Sequence, residues 1–437
     1  MTNSVLDPDT GTSAGGNPPR TDIDVDNTEI EQAVLRLDTP FDGNFPGDVR
    51  VGFGTASNVS AEFSDLIGGN NVEARNKGSF NDVEKLFIEA FEGDGIDGVE
   101  IRIRDNRTVE FVLQSTTDGA KPDSFIVTGE FVESYFESLY GPNYIIDHNS
   151  NTIIDGEKYT ASITDDVADT TTLVFNDEYG SRITDSVKFG FGGKFGELGK
   201  ALKGSNLDFR AGKSNGDDLE RLLKEAIEPD GMSLGGTNKI VATVVDAQTV
   251  KLTTYVDGAM PDEIILTGDY IDGFLKANFN NFAVGNDGFA DNDLTREDFD
   301  VDNGVQENVT IIVNNEFGTS HPNTVESNFG IHLRDALKGT ELDLRTGRSD
   351  GDDLDNFLAD AFDFNKDDGE IGINGINAEV LNDFTVQFTF NFESDDANND
   401  ILTISGEWVE GWLDENGLDS FDFVNGGLDI GSSETIA

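Results

Sequence analysis

The stretch that decides the fold is "DDLERLLKEAIEPDG", residues 217–231. Its apolar residues Leu219, Leu222, Leu223, Ala226 and Ile227 fall at i, i+3, i+4, i+7 and i+8, the stripe of an amphipathic helix. The same stripe occurs twice more. "NDVEKLFIEAFEGDG" (81–95) carries it as Val83, Leu86, Phe87, Ala90 and Phe91, and "DDLDNFLADAFDFNK" (352–366) as Leu354, Phe357, Leu358, Ala361 and Phe362. The spacings of 136 (219 − 83) and 135 (354 − 219) residues point to a long internal repeat.

Working outward, each helix leads into a period-two hairpin. Val99, Ile101 and Ile103 alternate, "RDNRT" turns the chain, and Val109, Phe111 and Leu113 alternate back. The matching arms are "KIVATVV" with "TVKLTTYV", and "INAEVL" with "TVQFTFNF". Then come "FIVTGEFVESYFESL", "IILTGDYIDGFLKANF" and "LTISGEWVEGWLDENG", each a short strand, a Gly-acidic pair and a second amphipathic helix, punctuated by Gly129, Gly268 and Gly406. Upstream, "VEARNKGS", "LDFRAGKS" and "LDLRTGRS" place Arg75, Arg210 and Arg345 in register. These arginines read as partners for the acids around them, or as holders of a carboxylate-bearing ligand. Ser79, Ser214 and Ser349 stand where helix N-caps belong. The expected fold class is α+β: three tandem repeats, each a small antiparallel sheet packed against two main helices. The expected boundaries are an N-terminal segment 1–21, repeats at 22–146, 147–297 and 298–424, and a C-terminal tail 425–437.

Composition bounds the function. Lys and Arg total 29 against 86 Asp and Glu, a formal net charge of -57. Nucleic acid is excluded as a partner, because phosphate binding needs a basic footprint. No apolar run reaches the length of a membrane span, so no membrane insertion is expected. So high a charge strains a compact state unless salt or divalent cations screen it, which suggests a saline or marine setting. A chain with no cysteine has neither disulfides nor thiolate chemistry. The first 22 residues show no basic-then-apolar leader, while the Gly/Ser/acidic C-terminus looks like a type I secretion signal. The expectation is therefore a secreted or cell-surface protein, with a cytosolic halophile protein as the other reading of the charge.

The acidic loops carry the binding expectation. "DIDVDNT" supplies Asp22, Asp24 and Asp26, "DHNSNTIID" supplies Asp147, Asn149 and Asn151, and "DFDVDNG" supplies Asp298, Asp300 and Asp302. A fourth variant, "DFNKDDGEI", supplies Asp363, Asn365 and Asp367. Oxygen-bearing side chains at alternate positions before a turn residue suit Ca²⁺, which takes six to eight oxygens. Position 12, where an EF-hand places Glu, holds Ala33, Lys158, Val309 or Asn374, so these are not EF-hand loops. Glu29, Glu31, Asp155 and Glu307 stand near enough in sequence to complete a shell. The same residues are also ordinary linker composition.

No enzyme is expected. The histidines, His148, His321 and His332, pair with no Ser or Asp at a motif spacing, and there is no P-loop or dinucleotide fingerprint. The leading reading is a structural, adhesive or matrix component with calcium ions as partners. Self-association through an exchanged N-terminal arm, or contact with other surface components, would fit that role.

"TTLVFNDEYGSRITDSVKFGFG" (171–192) with "LDFRAGKSNGDDLERLLKEAI" (207–227) resembles the hemophores, secreted haem-acquisition domains exported by type I secretion. The resemblance implies an α+β domain and the same export route. It also implies a haem ligand at Tyr179, where repeat three has Phe317 followed by His321. A hemophore-like binder of haem or another small ligand is the alternative function.

Overall fold

The computed structural model describes residues 20–22, 32–37, 39–41, 43, 49–53, 59–69, 71–74, 82–114, 121–155, 158–160, 163, 166–181, 188–191, 206–208, 218–227, 231–279, 282–285, 288–289, 295–298, 308–317, 325–328, 341–343, 353–361, 376–382, 384–390, 400–415, 422–424 and 427–428. Two compact units divide the chain: Met1–Tyr135 with Gly417–Ala437, and Phe136–Asn416.

In chain order the first unit contains β1 (Arg20–Asp22), β2 (Gln32–Arg36), β3 (Val49–Gly52), α1 (Ala61–Leu66) and β4 (Asn71–Ala74). It continues with α2 (Asp82–Phe91), β5 (Val99–Ile103), β6 (Thr108–Leu113), β7 (Asp123–Thr128) and most of α3 (Glu130–Tyr140). The second unit opens with β8 (Asn143–Asp147), β9 (Thr152–Asp155), β10 (Lys158–Thr160), β11 (Thr170–Phe175), β12 (Lys188–Gly190) and β13 (Asn206–Asp208). Then come α4 (Asp218–Ala226), β14 (Met232–Gly235), β15 (Asn238–Asp246), β16 (Thr249–Tyr255), β17 (Glu263–Thr267) and α5 (Asp269–Asn278). It closes with β18 (Phe282–Gly285), β19 (Gly288–Phe289), β20 (Thr295–Asp298), β21 (Asn308–Ile312), β22 (Val325–Asn328), β23 (Glu341–Asp343), α6 (Asp353–Ala361), β24 (Ile376–Asn382), β25 (Thr385–Phe390), β26 (Asp400–Ser405) and α7 (Glu407–Glu415). The chain then returns to the first unit with β27 (Asp422–Val424) and β28 (Gly427–Leu428).

The expected architecture needs correction. Strand dominates among the described residues, and the main sheets are neither small nor antiparallel. Their orders are β28-β27-β2-β7-β6-β5, β14-β15-β16-β17-β11-β8-β9 and β19-β18-β21-β26-β25-β24, and three further sheets of three strands accompany them. Each large sheet is mixed, because β2–β7, β11–β17 and β21–β26 are parallel pairs. Each three-stranded sheet also contains one parallel pair: β1–β3, β10–β12 and β20–β22. Three repeats, each a small antiparallel sheet on two main helices, are therefore not what forms. Period-two alternation reveals local hairpins such as β5–β6, but a parallel pair joins strands far apart in sequence and leaves no local signal.

The stripe of α4 is buried. Leu219, Leu222, Leu223 and Ala226 of α4 lie in one apolar cluster with Ile240, Val244, Val250, Leu252, Ile264 and Leu266 of the seven-stranded sheet. In the first unit, Phe87 of α2 packs on Phe111 of β6 with centroids 5.6 Å apart, and Phe111 stacks on Phe125 of β7 at 5.9 Å. Strand β16 alternates buried and half-buried residues, the period of a strand with one covered face.

Gly129, Gly268 and Gly406 join β7, β17 and β26 to their helices with φ of 108°, 106° and 120°. A Cβ on Gly268 would stand 2.6 Å from the carbonyl oxygen of Phe175, at the end of the parallel neighbour. Only glycine allows that sharp turn beside another strand. Among the described residues, no helix is long and apolar enough to cross a membrane.

Candidate functional site

The strongest concentration of polar chemistry lies where β8, β11 and β17 meet. β8 runs antiparallel to β11, placing Asp147 opposite Thr171, and β11 runs parallel to β17. The chain turns from β8 into β9 through residues 148–151. Asp147 builds that turn: its Oδ1 accepts the N–H of Asn149 at 3.0 Å and of Ser150 at 3.4 Å, while Oδ2 accepts the Ser150 hydroxyl at 2.8 Å. Such a side-chain-to-backbone pattern is an Asx turn. Asn151 adopts φ 51°, which asparagine tolerates better than most residues.

Asn149 bridges outward. Its amide donates to the Asp169 carboxylate, and its Oδ1 accepts the Thr170 N–H at 3.5 Å. The Asp169 N–H in turn donates to Asp262 Oδ1 at 2.9 Å. Asp262 is 1% exposed and also exchanges hydrogen bonds with Thr254, its N–H donating to Oγ1 at 3.1 Å. Asp262 thus ties the starts of two parallel strands together. His148 Nε2 lies 2.8 Å from the hydroxyl of buried Thr172. The Tyr159 phenol is pushed up by burial and by the neighbouring Asp147 and Asp169 carboxylates, with a Thr171 hydrogen bond acting the other way.

This end of the sheet is rich in oxygen donors. Asp147 and Asn149 come together there as the loop pattern requires, but their polar atoms are engaged with the turn and with β11. Asn151 serves the turn through its backbone. Among the described residues, no group of three or more His, Asp or Glu side chains is arranged to hold a metal ion. Asp22 and Asp298 end β1 and β20. Asp24, Asp26, Asp300, Asp302, Asp363, Asn365 and Asp367 lie outside the described residues, as do Arg75, Arg210, Arg345, Ser79, Ser214, Ser349, His321 and His332.

Tyr179, the position implied for haem, packs onto α5. Its ring meets Tyr270 edge-on at 5.2 Å and Phe274 at 5.9 Å. Gly273 makes the approach possible, since a Cβ there would sit 2.5 Å from Tyr179 Cβ. Phe317 repeats the arrangement on α7, edge-on to Trp408 at 5.0 Å, with a Gly411 Cβ falling 2.6 Å from Phe317 Cβ. In the first unit Phe41 meets Phe131 and Tyr135 of α3 at 5.7 and 5.0 Å, and its N–H donates to Ser134 Oγ at 2.6 Å. The aromatic ring is common to the three places; the phenol is not.

Sequence reasoning missed two features of this geometry. Phe41 was not matched to Tyr179 and Phe317, although each aromatic stands four residues after a buried residue at or just past the end of its strand, Leu37, Phe175 and Val313. The buried acids Asp123, Asp262 and Asp400 were also missed, at 1%, 1% and 5% exposure. Their signal is the acid opening "DSFIVTG", "DEIILTG" and "DILTISG", a charge directly before an apolar strand. No family model, curated protein or solved structure matches this chain.

Proposed function

We propose that this protein is an extracellular structural or adhesive component whose acidic surface operates with bound cations, calcium first among them. The observation that carries the reading is the acidic end of the seven-stranded sheet, where half-buried Asp147 and Asp169 meet at one hairpin, backed by the buried Asp262, in a chain of net charge -57. Among the described residues of this unit, Lys251 pairs with Glu263 at 2.9 Å, and Lys276 with Asp272 and Glu407 at 2.9 and 2.5 Å. Cations from solution are then the natural counter-charge for the remaining carboxylates. The packing of Tyr179 against α5 supports a structural role for that residue.

The test is thermal unfolding of the chelator-treated full chain, with calcium compared against sodium at matched ionic strength. A site of dissociation constant about 10⁻⁴ to 10⁻³ M, at 10 mM calcium, adds about 1.4–2.7 kcal/mol. Calcium stabilisation beyond the ionic-strength control, with heat on calorimetric titration, is the expected result. Equal effects of the two salts would remove calcium from the proposal.

A further inference from the structure

The three large sheets share one junction. In each, the first strand of the parallel pair is flanked on its other edge by a short hairpin running antiparallel to it. β8–β9 flanks β11, β18–β19 flanks β21, and β27–β28 flanks β2. The last two hairpins correspond residue for residue. Val284 pairs with Phe289 and Gly285 with Gly288; Phe423 pairs with Leu428 and Val424 with Gly427. Two residues separate the strands in both, Asn286-Asp287 and Asn425-Gly426, compositions that favour tight hairpin turns.

The source of the hairpin differs. β8–β9 and β18–β19 each directly follow a closing helix, α3 or α5, and flank the sheet that comes next along the chain. β27–β28 likewise follows α7, yet the strand it flanks is β2, with Val424 opposite Ala33 and Phe423 opposite Val34. The hairpin is covalently continuous with the second unit and hydrogen-bonded into the first. Without it the edge of β2 would be open beside fully buried Ala33 and Leu35, an arrangement that templates strand addition.

A hairpin and its receiving edge at different places on one chain make a heterologous junction, which can be satisfied between copies as well as within one. The geometry points to a head-to-tail assembly, in which β27–β28 of one copy pairs with β2 of a second copy. The junction between copies then has the hydrogen bonding of β8–β9 on β11 and β18–β19 on β21, and each copy carries one donor and one acceptor. The partner is a second copy of this chain, recognised by strand addition at the β2 edge in place of the chain's own hairpin, where main-chain hydrogen bonds supply the affinity. The inference goes beyond the proposed function and does not depend on calcium, so either can fail alone.

The chain has no cysteine, which makes the test direct. Full-length Ala33→Cys and Val424→Cys chains, one carrying a mass tag, are mixed, oxidised and separated on a denaturing, non-reducing gel. A cross-linked dimer of mixed mass is expected, at least tenfold more abundant than in either variant alone. The double variant should form a ladder that extends as protein concentration rises. Only internally linked monomer at every concentration, or no cross-link, overturns the proposal. Light scattering on the unaltered chain gives a second reading that needs no cysteine variant to fold. Mass should rise with concentration and fall to the monomer value in Phe423→Pro, whereas an unaltered chain that remains monomeric throughout refutes the assembly.

Discussion

Replacing Gly273 by alanine tests whether Tyr179 is a packing anchor. At an open helix position this change gains about 1 kcal/mol, because glycine gives up more backbone freedom than alanine on folding. On α5 the new Cβ would lie 2.5 Å from Tyr179 Cβ, 3.4 Å from Cγ and 3.6 Å from Cα. Ordinary carbon contacts lie at about 3.5–4.0 Å, so the helix or the Tyr179 segment must retreat by about 1 Å. Overpacking of this kind costs about 1–3 kcal/mol, leaving a net loss of up to about 2 kcal/mol after the helical gain. The assay is the urea midpoint followed by circular dichroism, for Gly273→Ala, Tyr179→Gly and the double variant. With Tyr179 reduced to glycine the same alanine should be neutral or favourable, giving a coupling of about 1–3 kcal/mol. A Gly273→Ala chain more stable than the parent would refute the reasoning. Tyr179→Phe should move the midpoint little, since Phe317 and Phe41 occupy the corresponding places.

Ser405 offers a second test: its Oγ accepts the buried N–H of Ala247 at 3.0 Å and lies 2.8 Å from Thr385 Oγ1. Ser405→Ala strands that N–H and should cost about 1–3 kcal/mol, whereas Thr385→Val alone, leaving the Ala247 bond intact, should cost less, as chemical denaturation will show. On α5, burial holds Asp272 above the usual carboxylate range, against the lowering effect of Lys276. A folded-state pKa above the unfolded one means that the folded state binds the proton more tightly. Wild type should therefore gain stability relative to Asp272→Asn as pH falls from neutrality through the raised Asp272 pKa, measured as the pH dependence of the difference in Tm; a difference that shrinks on acidification would contradict this. Burial lowers the Lys276 pKa, but hydrogen bonds to Glu407 and Asp272 outweigh it and raise it, so its contribution should persist from neutral pH and disappear only in strong alkali as pH rises through the raised value, the reverse sign from a depressed carboxylate. The difference in Tm between wild type and Lys276→Met, followed into alkaline buffer, checks that sign.

What the sequence determined by itself was local. Leu219, Leu222, Leu223 and Ala226 announced α4, and Val109, Phe111 and Leu113 announced β6, because side-chain period follows directly from backbone geometry. Glycine directly before one acidic residue marked the strand-to-helix turns, because so few residues accept φ near 110°. Only the tertiary structure decided which strands pair. β11 lies beside β17 across more than eighty residues, and β2 takes its flanking hairpin from residues 422–428. Backbone hydrogen bonds are the same whatever side chains surround them, so no short motif records such partners. The acidic hairpin shows the same division. Composition placed Asp147 and Asn149 in a turn, but whether their oxygens face an ion or their own backbone depends on Asp169 and Asp262, brought there by strands β11 and β17.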